Sequence, residues 1–100
     1  MKMTNEMIAN GAEKYIKTFE QIEKMAQTDG SKESALKLIR EVYPNYGWDD
    51  LNGMLFILQK GGRIEGLTIE GTQVIEPIMP KLTKEGVAEV EARKAVFVNA

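Results

Sequence analysis

Apolar residues at Met7, Ile8, Gly11, Ala12, Tyr15, Ile16, Phe19 and Ile22 recur at steps of three and four, which lines them along one stripe of a helix. Thr4 is placed to cap its start with a hydroxyl, so the pattern predicts a helix over about 4–27. Gly11 interrupts the stripe at a cost of roughly 1 kcal/mol relative to Ala, and a small residue there would let another helix approach closely. The cluster TDGS at 28–31 ends this segment, and Ser31 caps a second helix over about 31–42. Its core side is Ala35, Leu36, Ile39 and Val42, and Pro44 stops it by removing an amide donor and disfavouring helix at Tyr43. After the turn cluster PNYG, a third helix is expected over about 48–60, closing at Gly61 and Gly62, with Asp49 and Asp50 in the first turn where the helix dipole favours negative charge. The pattern then changes to a hairpin over about 63–82: RIEGLTI, a turn at EGTQ, and VIEPIM, whose Pro77 makes that strand an edge or a broken one. Thr83 caps a fourth helix over about 83–96, with Val87 and Val90 facing inward and Glu89 and Arg93 spaced as a pair. The last residues, AVFVNA, are apolar enough to dock on the body or on a second copy, so a homodimer is possible.

The order helix, helix, helix, hairpin, helix predicts one domain over 1–100, mostly α with a small β-hairpin (α+β), in the manner of a winged helix-turn-helix whose third helix is the recognition element. The stretch ILQKGGRIEGLTIEGTQVIEPIMPKLTKEGVAEVE, residues 57–91, resembles the C-terminal half of YjcQ-like winged-helix proteins of Gram-positive bacteria and their phages. The shared pattern is an apolar helix ending in a basic residue and glycine, an I-x-G strand, then a second strand leading to LTxxG and a helix. The resemblance implies a winged-helix fold and a phage or prophage type of protein, and it carries over no catalytic residues.

One hundred residues with 43% apolar and 28% charged side chains suit one globular domain. The absence of cysteine and histidine removes disulfides, thiolate nucleophiles, histidine-based triads and the usual zinc ligands. Phosphate-loop and dinucleotide-binding glycine motifs are missing too. The expectation is therefore a binding protein without enzymatic activity, cofactor or metal. MLFIL at 54–58 is far shorter than the ~20 residues of a membrane span, and the N-terminus lacks the apolar core of a signal peptide, so a cytoplasmic protein without membrane contact is expected.

Charge placement narrows the partner. Segments 1–27, 28–47 and 83–100 are each balanced, whereas 48–60 and 61–82 each sum to minus one, so the net charge of −2 lies on the third helix and the wing. DNA binding is dominated by Lys and Arg on phosphates, which these two elements largely lack. Helical geometry predicts Leu51, Met54, Leu55 and Leu58 as the buried side of the third helix and Asp49, Gly53, Phe56 and Lys60 as the outer side, with Ile57 beside Phe56. A protein partner would then meet Asp49, Phe56, Glu65 and Glu70, with Phe56 as anchor. One such partner is a host or defence protein that normally holds nucleic acid and is inhibited by an acidic surface. The alternative is a DNA-binding regulator with Asn52 and Gln59, flanking the outer side, on adenine edges, and Lys60, Arg63 and Lys81 on phosphates. Trp48 and Tyr46 are expected to cover the start of the third helix, and Lys32, Lys37 and Arg40 to form a mixed solvated face with Glu33 and Glu41.

Overall fold

The computed structural model describes the backbone of residues 5–99 and the side chains of residues 10–96. Four helices, α1 (Asn5–Met25), α2 (Lys32–Ile39), α3 (Trp48–Lys60) and α4 (Lys84–Asn99), accompany four short strands, β1 (Ile64–Glu65), β2 (Thr68–Glu70), β3 (Gln73–Ile75) and β4 (Lys81–Leu82). The chain is thus mostly α with a small β-hairpin region, as its pattern predicts. The expected cap at Thr4 and the stripe positions Met7 and Ile8 lie outside the residues whose side chains are described.

Each helix starts or stops for a local reason. Ser31 accepts from the Ser34 amide at 3.1 Å and caps α2, while Asp29 accepts from the Ser31 amide at 3.0 Å and the Ser34 hydroxyl at 2.8 Å. Regular α2 ends at Ile39, ahead of the expected 42, and Arg40–Tyr43 form turns whose amides still reach back to Leu36, Leu38 and Ile39. The regular helix thus closes ahead of Pro44, through a turn of tightened backbone and not at the proline itself. At the start of α3 the Asp50 carboxylate accepts from the Gly47 amide at 2.9 Å. Its end is a Schellman closure: the Arg63 amide donates to the Leu58 carbonyl at 2.9 Å and the Gly62 amide to the Gln59 carbonyl at 3.1 Å, with Gly62 left-handed at φ 77°.

The core joins Phe19, Ile22 and Met25 of α1, Ala35 and Ile39 of α2, Leu51 and Leu55 of α3, Ile64, Leu67, Val74 and Ile78 of the hairpin region, and Val90 of α4. Val90 faces inward as expected, but Val87 is 48% exposed. Gly86, four residues before Val90 and so about 40° from it around the helix, takes the buried side at that level, while Val87 lies about 60° to the other side. A Cβ on Gly86 would overlap the Arg63 carbonyl oxygen, so a glycine here lets α4 start against β1. Thr83 completes this joint, accepting from the Gly86 amide at 3.0 Å and donating to the Gly62 carbonyl. The LTxxG segment is a clasp between α4 and the end of α3. Of the apolar tail AVFVNA, residues 95–99 extend α4; Ala95 and Val96 are exposed, and the side chains of the residues after them lie outside the described ones.

The second strand of the hairpin is broken at Pro77, one of the two outcomes that its missing amide predicts, and the hairpin falls into two short ladders. Pairing is antiparallel in both parts, with Ile64 opposite Leu82 in the β1–β4 ladder and Thr68 opposite Ile75 in the β2–β3 ladder. Between the two ladders one strand crosses through Gly66 and Leu67 while the other detours through Glu76–Pro80. The detour docks on α2: the Ile78 amide donates to the Gly30 carbonyl at 2.7 Å, and the Glu76 carboxylate accepts from the Lys32 amide at 2.7 Å. Pro77, which has no amide to donate, sits in this detour and outside both ladders.

Candidate interaction surface

The third helix divides by direction. Leu51 and Leu55 are fully buried, Met54 and Leu58 are half-buried on one flank, and Asn52 and Gln59 occupy the other. Asn52 and Gln59 are seven residues apart, so they sit two turns, about 10.5 Å, from each other on one stripe. Both hold the wing. The Asn52 amide nitrogen donates to the Thr72 carbonyl at 2.9 Å while its oxygen accepts from the Val74 amide at 2.8 Å. The Gln59 nitrogen donates to the Leu67 carbonyl at 2.9 Å and its oxygen accepts from the Leu67 amide at 2.9 Å. Each side chain thus satisfies one backbone donor and one backbone acceptor of the wing, Asn52 at the hairpin turn and Gln59 between the two ladders.

This placement corrects the expectation that Asn52 and Gln59 flank the open side of α3. Asn52 is only 7% exposed, and in this conformation both amides present their donor and acceptor to the wing backbone and not to solvent. Arg63, expected on phosphates, is half-buried: its guanidinium donates to the Gly61 carbonyl at 2.8 Å and lies 3.3 Å from the Glu89 carboxylate. Arg93 reaches the same carboxylate at 3.9 Å, the expected α4 pair. Burial, and then the Glu89 charge, raise the Tyr15 phenol above its ordinary value beside this cluster. Of the cationic and amide groups expected to meet DNA, Lys60 and Lys81 are exposed; Lys81 stands opposite Glu65 in the β1–β4 ladder.

The solvent side of α3 carries Asp49, Asp50, Gly53, Phe56, Ile57 and Lys60. Phe56 is half-buried with the Lys60 ammonium 5.7 Å from its ring centroid, whereas Ile57 is 68% exposed. The apolar point of this face is therefore Ile57, one position along from the residue the helical pattern selects. Asp49, Glu65 and Glu70 are exposed as expected, and Asp50 combines exposure with its capping bond to Gly47. Tyr46 stacks on Tyr43 with centroids 4.6 Å apart, Trp48 packs against the core, and the Lys32 ammonium sits 4.9 Å over the Trp48 ring. Among the described residues no helix is long and apolar enough to cross a membrane, and no three acidic side chains converge as metal ligands.

Sequence reasoning missed the amide clamp. Its signal was two primary amides at i and i+7 on a helix that leads directly into a hairpin, a spacing that serves a neighbouring backbone as well as it serves bases. Comparison of the chain with protein-family models, with curated proteins and with solved structures finds no match.

Proposed function

We propose that this chain is a non-enzymatic, cytoplasmic winged-helix domain of the YjcQ-like, phage or prophage type, and that it binds a protein partner through the solvent side of α3. The observation that supports this reading best is Ile57, 68% exposed in mid-helix and accompanied on the same helix by the exposed carboxylates of Asp49 and Asp50. An apolar residue about two turns from a pair of exposed acids suits a partner with an apolar socket and a basic patch beside it. Glu65 and Glu70 of the wing extend the negative charge, and Phe56 supports Ile57 from the side. A protein that normally holds nucleic acid offers such a basic surface, and occupying it would inhibit that protein.

The DNA-binding alternative retains the element order of a winged helix. It has lost its base-reading side chains to the wing, however, and keeps Lys60 and Lys81 as exposed cations among a larger number of carboxylates. Two unassisted phosphate contacts give a weak, strongly salt-dependent affinity.

A photo-crosslinking amino acid placed at Ile57, with a control at the exposed Lys37 of α2, tests the reading in bacterial cells. A discrete protein adduct from position 57 and none from position 37 is the expected result. Adducts to nucleic acid, or none at all from position 57, would sink it.

A further inference from the structure

On the flank of α3 away from the wing, an open groove of about 310 Å³ runs between α1 and α3. That volume is at the lower end of the range of small-molecule sites. Its walls are Tyr15 and Phe19, whose ring centroids lie 4.9 Å apart, with Tyr43, Met54 and Leu58. The Thr18 hydroxyl at its base donates to the Lys14 carbonyl at 2.7 Å and lies 3.3 Å from the Tyr43 hydroxyl, so those polar atoms already have partners. The interior is therefore apolar and aromatic.

Gly11 stands at the mouth. A Cβ built on it would meet nothing within 4 Å, so no close approach within the described chain requires a glycine there. Among the described residues the cost of a glycine inside the helix has no packing return, and leaving out a side chain keeps the mouth open. Lys14 brings charge to this groove, and a neighbouring hollow that shares Gly11 and Lys14 with it is lined further by Asn10, Glu13 and Lys17; Glu13 and Lys17 neutralise each other at 2.8 Å. The Lys14 ammonium lies 5.4 Å from the Tyr43 centroid, and among the described residues no carboxylate is within ion-pairing distance of it. An apolar groove thus opens beside a cation that no described carboxylate pairs.

We propose that this groove is a binding site for a small carboxylate with an apolar body, of the size and chemistry of a medium-chain fatty acid. The body lies among Tyr15, Phe19, Met54 and Leu58, and the carboxylate meets the Lys14 ammonium at the rim. The charge selects an acid over an amine of the same length, and the closed set of hydroxyl bonds selects an apolar body over a sugar or nucleotide.

Octanoate and octylamine, titrated separately into the ¹⁵N-labelled full chain, serve as probes. Octanoate is expected to give saturable amide shifts at Gly11, Tyr15, Thr18, Met54 and Leu58, with octylamine about tenfold weaker or worse. Gly11→Phe fills the mouth and should weaken octanoate by about tenfold or more while leaving the thermal midpoint unchanged or raised, since glycine is the poorer helix former. Lys14→Glu should invert the preference between acid and amine. The proposal is overturned by the absence of saturable shifts with octanoate, by equal affinity for the amine, or by shifts that survive Gly11→Phe. Position 57 is on a different side of α3, so the crosslinking result and this one stand or fall separately.

Discussion

The wing-facing flank of α3 and its solvent side carry similar numbers of polar residues, yet they behave in opposite ways. On the wing flank, Asn52 and Gln59 have both donor and acceptor satisfied by backbone that would otherwise be unpaired. On the solvent side, Asp49 and Lys60 are exposed, and the apolar Ile57 stands out among them. A polar residue is structural where its geometry closes on the fold, and available to a partner where it does not. Sequence gives residue type at each position, and only the closing geometry separates the two.

Breaking the wing flank should have the largest effect. Asn52→Ala leaves the buried Val74 amide without an acceptor and the Thr72 carbonyl without its donor, and is expected to destabilise the chain by about 2–4 kcal/mol, read from urea unfolding. Gln59→Ala acts on a partly buried site and should cost about 1–2 kcal/mol. Its specific sign is faster hydrogen exchange at the Leu67 amide. Ile57→Lys on the solvent side should change stability by less than about 0.5 kcal/mol while abolishing the position-57 partner complex. A loss of stability there as large as that of Asn52→Ala would erase the distinction between the two sides.

The smallest expected effect lies outside α3, at the cap of α2. Hydrogen bonds from the Ser31 amide and then the Ser34 and Ser31 side chains hold the Asp29 carboxyl below its ordinary pKa. A carboxylate with a lowered folded value adds stability above the unfolded-state pKa, and that addition disappears as pH falls through the folded value. Urea midpoints should therefore fall more for the wild type than for Asp29→Asn as pH drops from about 5 to about 2. Equal slopes would show that Asp29 does not contribute.

Much of the fold was legible because it rests on local rules. Trp48–Lys60 is bounded by an acidic first turn and a glycine pair, and the helix occupies the expected residues. Ser31 and Thr83 cap as their positions imply. The hairpin was legible at its turn, where Glu70 pairs with Gln73 across Gly71 and Thr72, and Pro77 marked a possible break, but where the broken segment docks was not legible. The detour at 76–80 depends on contacts with α2, more than forty residues earlier in the chain, which no local pattern reports. The candidate surface was half legible for a related reason. Its acids are where charge counting put them, while the choice between Phe56 and Ile57 turns on a rotation of about 100°, finer than an idealised stripe resolves once Lys60 folds over the Phe56 ring.

The detour also bears on how the molecule comes apart. Glu76 and Ile78 bond to the backbone at the start of α2, and Asn52 and Gln59 bond to the backbone of the wing, so α2, α3 and the hairpin are cross-linked by bonds that no single element owns. Such a set opens as one cooperative unit, whereas α4 is joined to it mainly through the Thr83 and Gly86 clasp and its packing on α1 and β4. Under native conditions the amide of Ile78 should then exchange only with the opening of that whole unit. The wing then behaves as part of the body, and α1 and α4, which pack extensively on each other, stand outside that cross-linked set.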